Sequence, residues 1–284
     1  MTWSWPGGRL ELGHGRIRQV ELGGRAAFWT TPEPDGRNVG WNVGGDRLWL
    51  GPESDWFWAS DDHTDLSAHV VPGEIDPGRW ATYVGDRHAV LTADVRLTHR
   101  RSGAVTRVRV RREVDLLTAG PGAVSYRTRT TLDVVAGPPG QAVDAWSIVQ
   151  VPDGGVLDVA LAGPLAYRDH LAPAPPERIV DHGDRVAVEL TGESMFKIGF
   201  APSVVAGRLT YVLPDLTVER VFDVRPHLPY CEGDAVQVFD DDGHYGGYAE
   251  LEHHSPAAVT SATGTGRTVD VCVTTVSLHR PEQI

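Results

Sequence analysis

In YAELEHH, residues 248–254, every second side chain is polar or titratable: Tyr248, Glu250, Glu252 and His254 alternate with Ala249, Leu251 and His253. A β-strand turns successive side chains to opposite faces, so the first four share one face, with neighbours about 7 Å apart. If that face enters a pocket, desolvation and mutual repulsion raise the pKa of at least one carboxyl and prepare Glu250 and Glu252 for general acid/base work. If it faces water, the same residues form an ordinary solvated strand. The pattern leaves both open. His253 and His254 point to opposite sides, which disfavours a metal pair there.

A second chemistry-bearing stretch is GGDRLWLGPESDWFW, residues 44–58, which sets Asp46, Arg47, Glu53 and Asp55 among Trp49, Trp56, Phe57 and Trp58. Indole faces pack on the C–H faces of pyranose rings while Arg, Asp and Glu reach hydroxyls, so the composition suits one wall of a sugar-like pocket. Arg47, Asp46 and Glu53 are then polar contacts and Trp49 a stacking platform. A glycine turn followed by a Trp-rich core segment, with Arg47 paired to Glu53 or Asp55 at the surface, accounts for the same residues. Nine tryptophans in the chain favour the pocket.

These residues need strands to position them, and the chain supplies many. In residues 104–117 Val108, Val110, Val114 and Leu116 alternate with Arg107, Arg109, Arg111, Glu113 and Asp115, and residues 123–135 repeat the pattern after the turn TAGPG. Arg112 falls in phase with the valines. It is either carried out to solvent by a β-bulge near Arg111 or buried against a carboxylate. Further strands are expected at RIRQVELG, RAAFWTT, HAVLTADVRLTHR, RVAVELTG, SMFKIGF, RLTYVLP, LTVERVFDV, AVQVFDD and RTVDVCVTTVSLH, separated by Gly, Pro and Asp. No segment reads as a long amphipathic helix. The expected fold is all-β, a large antiparallel sandwich, with residues 1–284 as one domain and GPPG (137–140) and LAPAPPE (171–177) as loops inside it. DDDG at 240–243 reads as a hairpin turn rather than a calcium loop.

Composition narrows the partners. A net charge of −12 opposes nucleic acid and anionic membranes. No signal sequence or apolar membrane span is apparent, and Cys231 and Cys272 lack disulfide or metal spacing, so a cytoplasmic protein with free thiols is expected. P-loop, dinucleotide and G-x-S-x-G elements are missing, and neither cofactor nor metal is expected. Lys197 is the single lysine, which reads as codon usage in an arginine-rich chain.

Four segments carry a family resemblance. GGDRLWLGPE, VDAWSIVQVPDGG, FKIGFAP and AVQVFDDDGHYGGYAELEHHSP resemble, in that order over residues 38–279, segments of a bacterial branch of the galactose-mutarotase-like superfamily. The resemblance implies a β-supersandwich that binds carbohydrate. It also implies the chemistry of aldose 1-epimerases, in which a glutamate takes the anomeric proton and a histidine protonates the ring oxygen. Glu252 matches the catalytic glutamate, with Glu250 beside it. Where those epimerases carry histidines, this chain has Trp146-Ser147 and Asp46-Arg47, so the acid must come from elsewhere: His254 on the Glu252 face, or His69, His88 or His170 from loops. Tyr248, Trp146 and Arg112 complete the expected substrate-contacting set. The expected function is an aldose 1-epimerase-like isomerase acting on a small sugar-like ligand. A non-catalytic carbohydrate or polyol binder, and a scaffold adapted to another acid/base reaction such as elimination, isomerisation or cyclisation, remain as alternatives.

Overall fold

A computed structural model describes residues 1–30, 44–60, 63 and 68–279. The chain forms two antiparallel β-sheets, and among the described residues no helix exceeds five residues. None is long and apolar enough to cross a membrane. The all-β sandwich expected from alternation is the fold observed.

Among the described residues one sheet has eleven strands, and its central run is Asp46–Gly51, Ala142–Pro152, Tyr248–His254, Val236–Asp240 and Phe196–Phe200, in that spatial order. The other has ten, with Leu216–Phe222, Gly266–Leu278, Ala123–Ala136, Val105–Ala119 and His88–Thr98 side by side. Residues 137–140 and 171–177 lie where the chain passes from one sheet to the other. DDDG joins two strands that pair antiparallel, Val236 opposite His253 and Asp240 opposite Ala249, so it is a hairpin connection. Of RAAFWTT only Arg25–Ala26 pairs as strand. Beyond it, the Gln19 side chain bonds the backbone of Phe28 through both its amide atoms and replaces a ladder there, and Thr31 lies outside the described residues.

Between the sheets the alternating apolar residues meet. Val149, Val151, Leu251, Val236, Val238 and Ile198 from one sheet pack with Val186, Val188, Leu157, Leu209, Val218 and Val276 from the other, all fully buried. Each such side chain stabilises the fold by about 1.5–3 kcal/mol. Both cysteines lie buried as free thiols.

Charged residues also enter this interior. The register runs unbroken through Arg111 opposite Thr131 and Arg112 opposite Thr130, with shifts only at Arg107/Val108 and Leu116/Thr118. Arg112 is therefore turned inward without a bulge at Arg111. Its Nη2 donates to Asp46 Oδ1 at 2.5 Å and its Nη1 to the carbonyls of Gly15 and Asp46, while Tyr126 Oη donates to Asp46 Oδ2 at 2.8 Å. Burial alone would raise the Asp46 carboxyl, but Arg112 and Arg220 outweigh it and hold it below the usual range. Asp46 and Arg112 thus correct the expectation that they touch a substrate. Alternation sends both side chains into the interior, where each is the other's counter-charge.

Candidate functional site

The outward face of the eleven-stranded sheet is built from the residues that the interior does not take. Ile148 pairs with Arg47 on one side and Glu252 on the other, and Trp146 pairs with Trp49 and His254. Directly opposed residues share a face, so Arg47, Trp49, Trp146, Gln150, Glu250, Glu252 and His254 emerge together. Lys197 and Phe239 join from the two strands beyond, paired opposite each other. A cavity lies over this face, with ≈ 710 Å³ of space when its open mouth is included. Loop residues Trp58, His63, His69, His170, Leu171, Glu232 and Tyr245 complete its wall.

Glu250 lines the cavity together with Glu53 and Glu232. Arg47 Nη2 at 2.6 Å and Gln150 Nε2 at 2.8 Å both donate to its Oε1, and among the described residues its Oε2 accepts no hydrogen bond. Arg47 is itself fixed: its guanidinium lies 4.2 Å above the Trp49 ring, and Asp76 Oδ2 lies 3.9 Å from its Nη1. Trp49 Nε1 donates to the same Asp76 oxygen at 2.9 Å, and Arg16 pairs with the other. The Glu250 carboxylate is therefore oriented by two donors, one of them held in turn by Trp49 and Asp76.

A second cluster centres on Lys197. Its Nζ lies 3.2 Å from Glu53 Oε2, 3.4 Å from Glu252 Oε2 and 4.5 Å from the Trp146 ring centroid. Burial disfavours its charge, but Glu252, Glu53, Glu250 and Glu232 overcome that and push its pKa above the usual lysine value. Glu53 begins the short helix Glu53–Trp56, whose Ser54 N–H donates to Glu232 Oε1 at 2.8 Å. Burial would raise Glu53, yet the Lys197 charge and the His69 hydrogen bond hold it well below the carboxylate range. His69 Nε2 lies 3.1 Å from Glu53 Oε1, and Trp58 Nε1 donates to the same atom at 3.2 Å. Across the cavity His170 Nε2 lies 2.6 Å from Asp234 Oδ2.

Glu252 is fully buried next to Trp146. Trp146 Nε1 donates to its Oε2 at 2.5 Å, and Oε1 is buried with no partner among the described residues. Desolvation raises its pKa to about 7 against the pull of Lys197. His254 stacks on Trp146 and, although burial opposes its charge, Asp144 Oδ2 at 3.2 Å from its Nδ1 raises its pKa.

The sequence matches no family model and no curated protein. Among solved structures the chain is similar to a galactose 1-epimerase from Lactobacillus acidophilus NCFM, at 9% identity and a TM-score of 0.45, covering 98% of this chain and 94% of that one. It is also similar to a GalM/aldose epimerase homologue from C. elegans, at 9% identity and a TM-score of 0.44, covering 96% of each chain.

Of the residues expected at the site, Arg47, Trp49, Glu53, Trp146, Tyr248 and Glu250 line the cavity. Glu252 and His254 share the face but are buried and outside the cavity lining, Glu252 bonded to Trp146 Nε1 and His254 stacked on the same ring; this corrects their expected direct contact with a ligand. His69 and His170 line the cavity, whereas His88 pairs with Asp115 on the ten-stranded sheet. The solvated-face alternative for YAELEHH does not hold, since all seven residues are buried. Sequence reasoning missed Lys197, Glu232 and Asp76. For Lys197 a signal existed: the only lysine of an arginine-rich chain sits inside the apolar strand FKIGF, where its charge needs a reason. Among the described residues no three His, Cys, Asp or Glu side chains group to hold a metal.

Proposed function

We propose that the protein binds a carbohydrate or sugar-like small molecule in this cavity and acts on it as an aldose 1-epimerase-like isomerase, with residues 1–284 working as one unit. The observation that carries this is Glu250: a carboxylate at the cavity surface, oriented by Arg47 and Gln150 through one oxygen, its other oxygen accepting no hydrogen bond among the described residues. In this role Glu250, rather than Glu252, takes the anomeric hydroxyl proton, the ring C–O bond breaks as the ring oxygen is protonated, C1 turns, and the ring recloses on its other face. Trp49, Trp58, Trp146, Phe239, Tyr245 and Tyr248 provide apolar surface for the C–H faces of the ring. The segment resemblance to galactose-mutarotase-like proteins supports the same conclusion.

The test is saturation-transfer NMR of exchange between α and β anomers across a panel of aldoses, with wild type and Glu250→Gln compared at equal concentration. Wild-type acceleration that is lost in the variant is the expected result. A wild type that accelerates no sugar overturns it. One observation favours a second reading, acid/base chemistry on another kind of metabolite: among the described residues six aromatic side chains line the cavity, and the nearby Glu252 carboxyl is raised to about 7. Turnover of a non-sugar ligand dependent on Glu250 would select it.

A further inference from the structure

Ring opening also needs a proton delivered to the ring oxygen, which Glu250 as base does not supply. His69 and His170 line the cavity, but each has its Nε2 against a carboxylate, Glu53 and Asp234. A different proton donor stands in the cavity. Lys197 lines it, and its Nζ lies within 3.4 Å of Glu252 Oε2, on a buried carboxyl bonded to Trp146 Nε1. Glu252 and Glu250 are same-face neighbours on one strand, so a donor linked to the first and a base formed by the second share one cavity.

Resting on the epimerase reading above, we propose that Lys197 is the catalytic acid of this site and Glu252 the positioning residue that resupplies its proton. As the C1–O5 bond breaks, its electron pair goes to O5, which takes a proton from the Lys197 ammonium. Glu252, protonated, passes its proton to Lys197 and becomes the carboxylate held by Lys197 and Trp146. Glu250 meanwhile takes the O1 proton, which leaves a C1 aldehyde and a free O5 hydroxyl. Reclosure runs each transfer backwards, so no proton or electron is gained or lost.

The surroundings make Lys197 a weaker acid: the neighbouring carboxylates raise its pKa above the usual lysine value, so it gives a proton only while Glu252, in its protonated form, returns one. The Glu252 carboxyl, raised to about 7 by burial, is a donor matched to neutral pH. The groups that act on it are Lys197 from Phe196–Phe200, Glu250 and His254 from its own strand, and Glu53 from the short helix. Asp144, from the strand alongside, acts on it through His254.

Three samples test the relay: wild type, Lys197→Arg and Glu252→Gln, each with anomer exchange measured from pH 5.5 to 9 and sugar affinity from tryptophan fluorescence. Arginine keeps the charge but does not surrender a proton. The expected result is a loss of about 10²–10⁴-fold in exchange for Lys197→Arg with sugar affinity retained. Wild-type exchange is expected to fall above pH 7, and that limb to vanish in Glu252→Gln along with most of the rate. Retention of more than half the wild-type rate by Lys197→Arg, or a wild-type profile flat from pH 6 to 9, overturns the relay and leaves the epimerase reading standing. The wild-type profile decides even if a variant does not fold. No acceleration by wild type overturns both.

Discussion

Arg112 and Asp46 come from different sheets and meet at 2.5 Å in the interior, each almost completely shielded from water. The pair fixes how the sheets sit on each other at the strand that also carries Arg47. Asp46 points inward and Arg47 outward, so the position of one sets the other.

Removing one member of a buried pair leaves the other charge uncompensated. Arg112→Met is expected to destabilise the protein by about 3–5 kcal/mol, and Arg112→Met with Asp46→Leu to recover much of that. Urea unfolding of the single and double variants measures it. An Arg112→Met cost under about 1 kcal/mol contradicts the pair's role.

Asp240 gives a pH signature of stability. Burial raises its carboxyl from 3.8 to about 7, against hydrogen bonds from the Gly192 and Thr191 N–H groups. A raised folded-state pKa contributes stability that is full below the unfolded value and is lost as pH rises to the folded one. Wild type should therefore lose stability from this group between about pH 4 and 7 and no more above it. Asp240→Asn should be more favourable relative to wild type at pH 8 than at pH 5 in denaturant titrations; a pH-independent difference contradicts this.

Glu53 works in the opposite direction. Its folded-state pKa is depressed, so its ion pair with Lys197 stabilises the fold above the usual carboxylate pKa and is lost as pH falls below it. Glu53→Gln is expected to narrow the difference in stability between pH 7 and pH 3 seen in wild type. Thermal melts at the two pH values report it.

Tyr245 reaches the cavity from the hairpin after Asp240, whose shape depends on two N–H bonds, from Tyr245 and Gly247, to Asp241. Gly246 has φ +125°, and a Cβ there meets Trp29 Cζ2 at 2.7 Å. Gly246→Ala should displace Tyr245 and weaken ligand binding, raising KM more than it lowers kcat. An unchanged KM rules out Tyr245 as a contact.

Alternation made much of this architecture legible. Val108, Val110, Val114 and Leu116 mark a strand without reference to any other part of the chain, and the shared face of Glu250 and Glu252 follows from the same period. Contacts between distant segments were not legible. Nothing local says that Arg112 meets Asp46, or that Trp146 bonds Glu252, because both depend on how strands far apart in sequence are ordered. Lys197 shows a different limit: its rarity was visible, but its meaning depended on Glu53 and Glu252 approaching from two other elements.

That solitary lysine gives the molecule an unusual chemical address. With no other lysine among residues 1–284, the side-chain target of an amine-selective acylating or aldehyde reagent lies in the cavity. A bound ligand should slow modification of Lys197, so intact-mass spectrometry can report occupancy before any substrate has been identified.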